Sequence, residues 1–310
     1  MFGYVATKSL QGGVPMINVT GLTLTYPNGK GVFDLNFSVP KGVVMGYLGP
    51  NGAGKTTTLR ALLGFMRPNS GKCMIGDLDC TERAPQIQKR LGYIPGEITF
   101  PDGMAGDEFL TFMSDMRKTK SVERKNQLLE MFELNPKGRI KKFSKGMKQK
   151  LGIVAAFMHN PDVLILDEPS SGLDPLMQNR FAELILSEKA KGKTIFMSSH
   201  IFEEVEKTCD SVLIIRDGRI VEQSDIQKLK DTQRRIFILR PEDTDNAAKV
   251  LKAADFDIRV ESDGILEVYV TGDKVDSFVK TAAKITVRSL NVKHQTLEDI
   301  FINYYGKEEK

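Results

Sequence analysis

Residues 49–56 read Gly49-Pro50-Asn51-Gly52-Ala53-Gly54-Lys55-Thr56. The apolar run Val43-Val44-Met45-Gly46-Tyr47-Leu48 precedes them, and Thr57-Thr58-Leu59-Arg60-Ala61-Leu62-Leu63 follows. The spacing is G-x-x-x-x-G-K-[ST], and the flanks predict a strand before the glycines and a helix after them, the context this motif needs. Glycines let the backbone curl so that its N–H groups point inward, and the helix N-terminus adds its positive dipole end. Gly49 to Thr57 are therefore expected to cradle a triphosphate, with Lys55 reaching the β- and γ-phosphates and the Thr56 hydroxyl available to Mg²⁺. The bland alternative is a glycine-rich turn before an ordinary helix. The complete motif in its proper setting favours a nucleoside triphosphate site.

Hydrolysis needs more than a phosphate cradle. Val163-Leu164-Ile165-Leu166 reads as a buried strand, rich in branched residues and short for a helix. It ends in Asp167-Glu168, and ligands of parallel sheets sit at the carboxyl ends of strands. Asp167 is expected to orient Mg²⁺ and Glu168 to polarise a water. Taken alone, the pair could equally be a solvated turn.

Three further segments complete a series. Phe143-Ser144-Lys145-Gly146-Met147 lies before that strand, Ser171-Gly172-Leu173-Asp174-Pro175 after it, and Ser198-Ser199-His200 beyond one more apolar run. In order and spacing, residues Met16 to Val221 closely resemble the nucleotide-binding subunit of ATP-binding cassette (ABC) transporters of the drug and peptide-antibiotic exporter type. The resemblance implies an α/β fold: a P-loop NTPase cassette with a parallel-sheet core, a β-subdomain and a helical lobe, followed by a small α+β domain. It implies ATP and Mg²⁺ as ligands, with Tyr26 stacking on the adenine, Asp167 as metal carboxylate and Glu168 as catalytic base. It also implies that His200 contacts the γ-phosphate and that Asp174 sits in a turn communicating across a dimer. Ser144 and Gly146 would cap the γ-phosphate of a nucleotide held by a second nucleotide-binding subunit, identical or not. One copy of each motif per chain then makes a dimer necessary. Against these roles stand plainer ones. Tyr26 precedes Pro27-Asn28-Gly29 and could pack beside a hairpin turn, and a lone histidine such as His200 is often only a structural hydrogen-bonder. His159 and His294 match no motif and read as surface or capping groups.

The sequence departs from the family pattern twice. Phe143-Ser144-Lys145-Gly146-Met147 stands where Leu-Ser-Gly-Gly-Gln is usual, keeping the serine and the second glycine. Leu91-Gly92-Tyr93-Ile94-Pro95 is followed by Gly96-Glu97 rather than the usual lid glutamine, so Glu97 is expected to take over part of that role.

Length and composition fit a packed globular chain of about two domains: 310 residues, 41% hydrophobic and 27% charged. No apolar run reaches the roughly 18 residues of a membrane helix. Met1–Pro15 lacks a signal-peptide core and reads as a disordered leader. Three cysteines without metal spacing suggest a reducing compartment. The expected location is the cytoplasmic face of the membrane, beside separate polytopic membrane subunits.

A net charge of +4 is mild. The cluster Lys137, Arg139, Lys141, Lys142, Lys145, Lys148 and Lys150 has only Phe143 among it, so no nucleic acid is expected. Two apolar helical stripes, in 103–116 and around 128–132, lie in the expected helical lobe. The cassette is expected to span 16–231. Residues 232–310 read as β-α-β-β-α-β, the split-βαβ order, with a last helix at 296–305. The alternative function is a soluble cassette ATPase acting on ribosomes or DNA, though such proteins usually carry two cassettes or long coiled coils. A nucleotide-gated module without turnover fits the Asp167-Glu168 pair poorly.

Overall fold

The computed structural model describes residues 15–118, 122–231, 235–261, 263–271 and 274–294. Residues 1–14 of the expected leader and the helix expected at 296–305 lie outside these, as does the side chain of His294, while Pro15 opens the first strand. The chain divides into two compact units, Met1–Asp225 and Ile226–Lys310. The division falls ahead of the short helix Ile226–Asp231 rather than after residue 231.

The strands of the first unit are β1 (Pro15–Thr25), β2 (Gly31–Pro40), β3 (Val44–Leu48), β4 (Ser70–Ile75), β5 (Leu78–Asp79), β6 (Leu91–Ile94), β7 (Val163–Asp167), β8 (Thr194–Ser199), β9 (Ser211–Arg216) and β10 (Arg219–Asp225). Its helices are α1 (Lys55–Leu62), α2 (Ala84–Gln88), α3 (Gly106–Met116), α4 (Val122–Met131), α5 (Lys145–Phe157), α6 (Pro175–Ala190) and α7 (Phe202–Thr208). Two sheets result, an antiparallel β2-β1-β4-β5 and a six-stranded β10-β9-β3-β8-β7-β6. Strands β9, β3, β8, β7 and β6 of the larger sheet run parallel, and β10 is antiparallel at its edge. β3, β7 and β8 are buried along their whole length. Burial on both faces explains why they read as unbroken apolar runs rather than alternating ones. The two sheets share one core, in which Phe37 of β2 stacks on Phe196 of β8, and Phe196 on Tyr47 of β3, with centroids 5.4 and 5.1 Å apart.

The helices start where side chains can satisfy their open N–H groups. Ser144 caps α5 by accepting from the Met147 N–H, Asp174 caps α6 by accepting from the Met177 N–H, and Glu108 reaches back to the Ala105 N–H at the start of α3. On α3 and α4, Leu110 and Leu128 face the core while Phe112, Met116 and Val122 are exposed. This separates buried from exposed positions within the two apolar stripes.

This lobe is tied to the rest of the unit by two guanidinium groups. Arg124 pairs with the buried Glu188 of α6. Just past α3, Nη1 of Arg117 contacts the carbonyls of Gln88 and Leu91 at 2.9 and 3.0 Å and Nε2 of His159 at 2.8 Å. His159 is thus a half-buried acceptor for Arg117 rather than the surface or capping group expected from its lack of a motif. Burial and then the Arg117 charge hold its pKa down at about 4.

The second unit contains α8 (Ile226–Asp231), β11 (Arg235–Pro241), α9 (Thr244–Ala253), β12 (Asp257–Val260), β13 (Leu266–Val270), α10 (Val275–Ala282) and β14 (Val287–His294). Its sheet order is β12-β13-β11-β14, antiparallel throughout, the arrangement a split-βαβ chain order produces. Phe237, Phe256 and Phe278 pack at its centre beside Leu239, Leu251 and Leu266.

Candidate functional site

β3 ends at Leu48, and the glycine loop follows. Gly54 has φ 110°, and a Cβ there would lie 2.6 Å from Val32 Cγ1, so only glycine fits the turn into α1. Lys55 opens the helix, and its Nζ donates to the Gly49 carbonyl at 2.6 Å and the Pro50 carbonyl at 3.3 Å. It also lies 3.7 Å from a Glu168 oxygen. Burial lowers the Lys55 pKa, opposed by the charges of Glu168 and Asp167.

The acidic pair comes from the end of β7. Thr56 Oγ1 donates to Asp167 Oδ2 at 2.8 Å, bringing the hydroxyl and carboxylate expected at the metal together. Asp167 Oδ1 accepts from Ser198 Oγ of β8 at 2.5 Å, and the Glu168 N–H donates to the same Ser198 oxygen at 3.0 Å. Glu168 adopts φ 48°, left-handed backbone that a non-glycine residue enters only at a cost of about 1–2 kcal/mol. Strain of this kind concentrates at functional sites. His200, directly after β8, places Nδ1 3.1 Å from Glu168 Oε2. The glycine loop, Asp167, Glu168 and His200 thus form one connected set at the ends of three neighbouring parallel strands.

The remaining expected residues lie around it. Tyr26 closes a tight turn, with the Gly29 N–H donating to its carbonyl at 2.9 Å. Its hydroxyl also lies 3.4 Å from Thr57 Oγ1, at the start of α1. Tyr26 thus packs beside the β1–β2 hairpin turn with its hydroxyl near the start of α1. Ser144 and Gly146 are at the start of α5, where a Cβ on Gly146 would stand 3.1 Å from the Gly172 carbonyl. Among the described residues, no hydrogen bond joins either to the glycine loop. Glu97 is exposed, while a Cβ on neighbouring Gly96 would come within 3.2 Å of Asp167 Oδ2. The loop after β6 therefore passes the Asp167 carboxylate by its backbone.

Sequence reasoning missed two residues here. Ser198 holds the Asp167 carboxylate and the Glu168 backbone N–H, and Gln149 of α5 donates to the Pro169 carbonyl at 2.6 Å, fastening the segment after Glu168. The signal for Ser198 was a hydroxyl at the end of a buried strand, after Ile195-Phe196-Met197. A polar group in that setting must find a partner.

Comparison with known proteins agrees with this geometry. The family model described as ABC transporter matches residues 32–171. The bacitracin transport ATP-binding protein BcrA of Bacillus licheniformis is 37% identical over 304 residues, covering 94% of this chain and 97% of its own. The protein of that name from Enterococcus faecalis is 32% identical over 301 residues, covering 94% and 96%. A solved ATP-binding subunit of an ABC transporter is 31% identical with a TM-score of 0.64, covering 69% of this chain and 92% of its own. A dimeric bacterial ABC transporter cassette, 19% identical with a TM-score of 0.63, covers 68% and 99% and shares the fold.

Proposed function

Since this chain belongs to the ATP-binding subunits of ABC transporters and hydrolyses ATP, we propose that it works in a pair, driving export through separate polytopic membrane subunits. The observation carrying this is the continuous set Thr56–Asp167–Ser198–Glu168–His200, which links a phosphate loop to a base. In this reading Gly49, Pro50, Asn51, Gly52, Ala53 and Gly54 turn their backbone toward the phosphates, Lys55 offsets their charge, and Thr57 and Tyr26 border the nucleotide. Thr56 and Asp167 form an all-oxygen donor set suited to Mg²⁺, which would neutralise charge on the phosphate oxygens. Glu168 accepts the proton of the attacking water, and His200 orients the Glu168 carboxylate toward the γ-phosphate.

Ser144 and Gly146 would close over the nucleotide of the second subunit, so that ATP joins the pair and hydrolysis releases it. Asp174 would sit in the turn facing that subunit. The exposed Phe112, Met116 and Val122 make the helical lobe the natural seat for the membrane subunits at the cytoplasmic face. Glu97 would stand in for the lid glutamine, and Glu97→Ala should reduce stimulation of ATPase by the membrane partner. The names of the two BcrA relatives favour a peptide-antibiotic cargo.

The test is to isolate the tagged chain from detergent-solubilised native membranes and assay ATPase on the eluate. A stoichiometric polytopic partner that stimulates turnover supports the proposal. Recovery of ribosomes or DNA without such a partner overturns it.

A further inference from the structure

Glu204, on α7, is a buried carboxylic acid outside the set described above, with 8% of its surface exposed. Ser199 Oγ donates to its Oε2 at 2.6 Å, and the same hydroxyl accepts from the Ile201 N–H at 3.0 Å. Ser199 and Ile201 flank His200, so Glu204 anchors the turn that presents the histidine to Glu168. Its other oxygen, Oε1, is shut off from solvent and makes no well-formed hydrogen bond. The Ser170 hydroxyl stands near the carboxyl and acts on it. Ser170 is itself buried and lies two residues past Glu168. One carboxyl therefore stands beneath both the segment carrying the base and the segment carrying the histidine.

The charges around Glu204 are mixed. His200 favours its ionised form and Glu168 opposes it, while Glu203 and Lys207 on the same helix pair with each other. Burial is the largest influence and raises the pKa, with the hydroxyls of Ser199 and Ser170 acting against it. An acid held in such a place contributes shape and hydrogen bonds more readily than charge.

We propose that Glu204 is a positioning residue for hydrolysis, its side chain fixing the Ser199–Ile201 turn and abutting Ser170 so that His200 and Glu168 keep their register. This rests on the roles given above to Glu168 and His200. Because Glu204 touches neither the glycine loop nor Tyr26 among the described contacts, its loss should act on kcat and spare nucleotide binding.

Steady-state ATPase of the full chain with Glu204→Leu, Glu204→Gln and Ser199→Ala tests this, with Glu168→Gln run alongside. Glu204→Leu should lower kcat at least tenfold with KM for ATP within twofold. Glu204→Gln, whose amide can still accept from Ser199, should recover most of that loss. Ser199→Ala should mimic the leucine variant without disturbing the fold, and it decides the matter if Glu204→Leu does not fold. Unchanged kcat in Ser199→Ala, or kcat and KM shifting together in either variant, overturns the proposal. If instead Glu168→Gln retains turnover, it is the assignment of the base that has failed.

Discussion

The two units of this chain use the same secondary structures to opposite ends. In the large sheet β3, β8 and β7 are adjacent and parallel, so their carboxyl ends meet on one rim. Lys55, Asp167, Glu168 and His200 all follow those ends. In the sheet of the second unit every neighbouring pair is antiparallel, so adjacent strands finish at opposite edges. The ends of neighbouring strands are therefore not gathered on one rim. Burial follows suit. The first unit keeps Lys55, Asp167, Glu188 and Glu204 inside, whereas the buried polar residue found in the second among the described residues is Thr281, which donates to the Ser277 carbonyl of its own helix. Charged pairs of the second unit, such as Lys280–Asp276, stand in solvent and contribute little. Strand direction thus gathers the site residues of the first unit on one rim, while the described core of the second is aromatic and aliphatic.

The comparison is broken most severely by Glu168→Gln. Turnover should fall by about 10²–10⁴-fold while ATP binding persists, read by ATPase assay and nucleotide titration. In the second unit Phe278→Ala empties the centre of an aromatic cluster and should cost about 3–5 kcal/mol of stability. Calorimetry should show one transition moving down while the ATPase rate at 25 °C stays within about twofold. A tenfold loss of rate would mean that the packing unit governs the chemical one.

A smaller effect concerns pH. The folded pKa of His159, about 4, lies below its ordinary value of 6.5, so protons favour the unfolded chain between those values. Stability should therefore be lost as pH falls from about 6.5 toward 4, by on the order of 1–2 kcal/mol after solvent screening. His159→Gln should flatten that part of a melting-temperature profile. The smallest change is Ser144→Ala, which removes the α5 cap and about 1 kcal/mol. If ATPase falls far more than such a loss explains, Ser144 acts beyond its own helix.

Much of this was legible in the sequence, and the reason is local. Gly49–Thr56 and Asp167-Glu168 follow apolar strands, and local pattern is enough to place them at strand ends. The chain order of the second unit likewise foretold its sheet. What escaped were residues whose meaning lies across strands. Ser198 looks like any strand serine until β8 is laid beside β7 in register, Asp167 opposite Ser198. His159 has no motif, and only the approach of Arg117 from the end of α3 makes it an acceptor. The split of the apolar stripes, Leu110 inward and Phe112 outward, depends on which neighbours cover the helix.

The Arg117 contact has a mechanical consequence. A single guanidinium nitrogen ties the last turn of α3 to the backbone before and within β6 and to the imidazole beyond α5. Such a joint resists sliding but permits tilting, so it acts as a pivot rather than a weld. Torque applied at the exposed tip of α3, near Met116, would be delivered through it to β6, whose far end leads to Gly96 beside the Asp167 carboxylate.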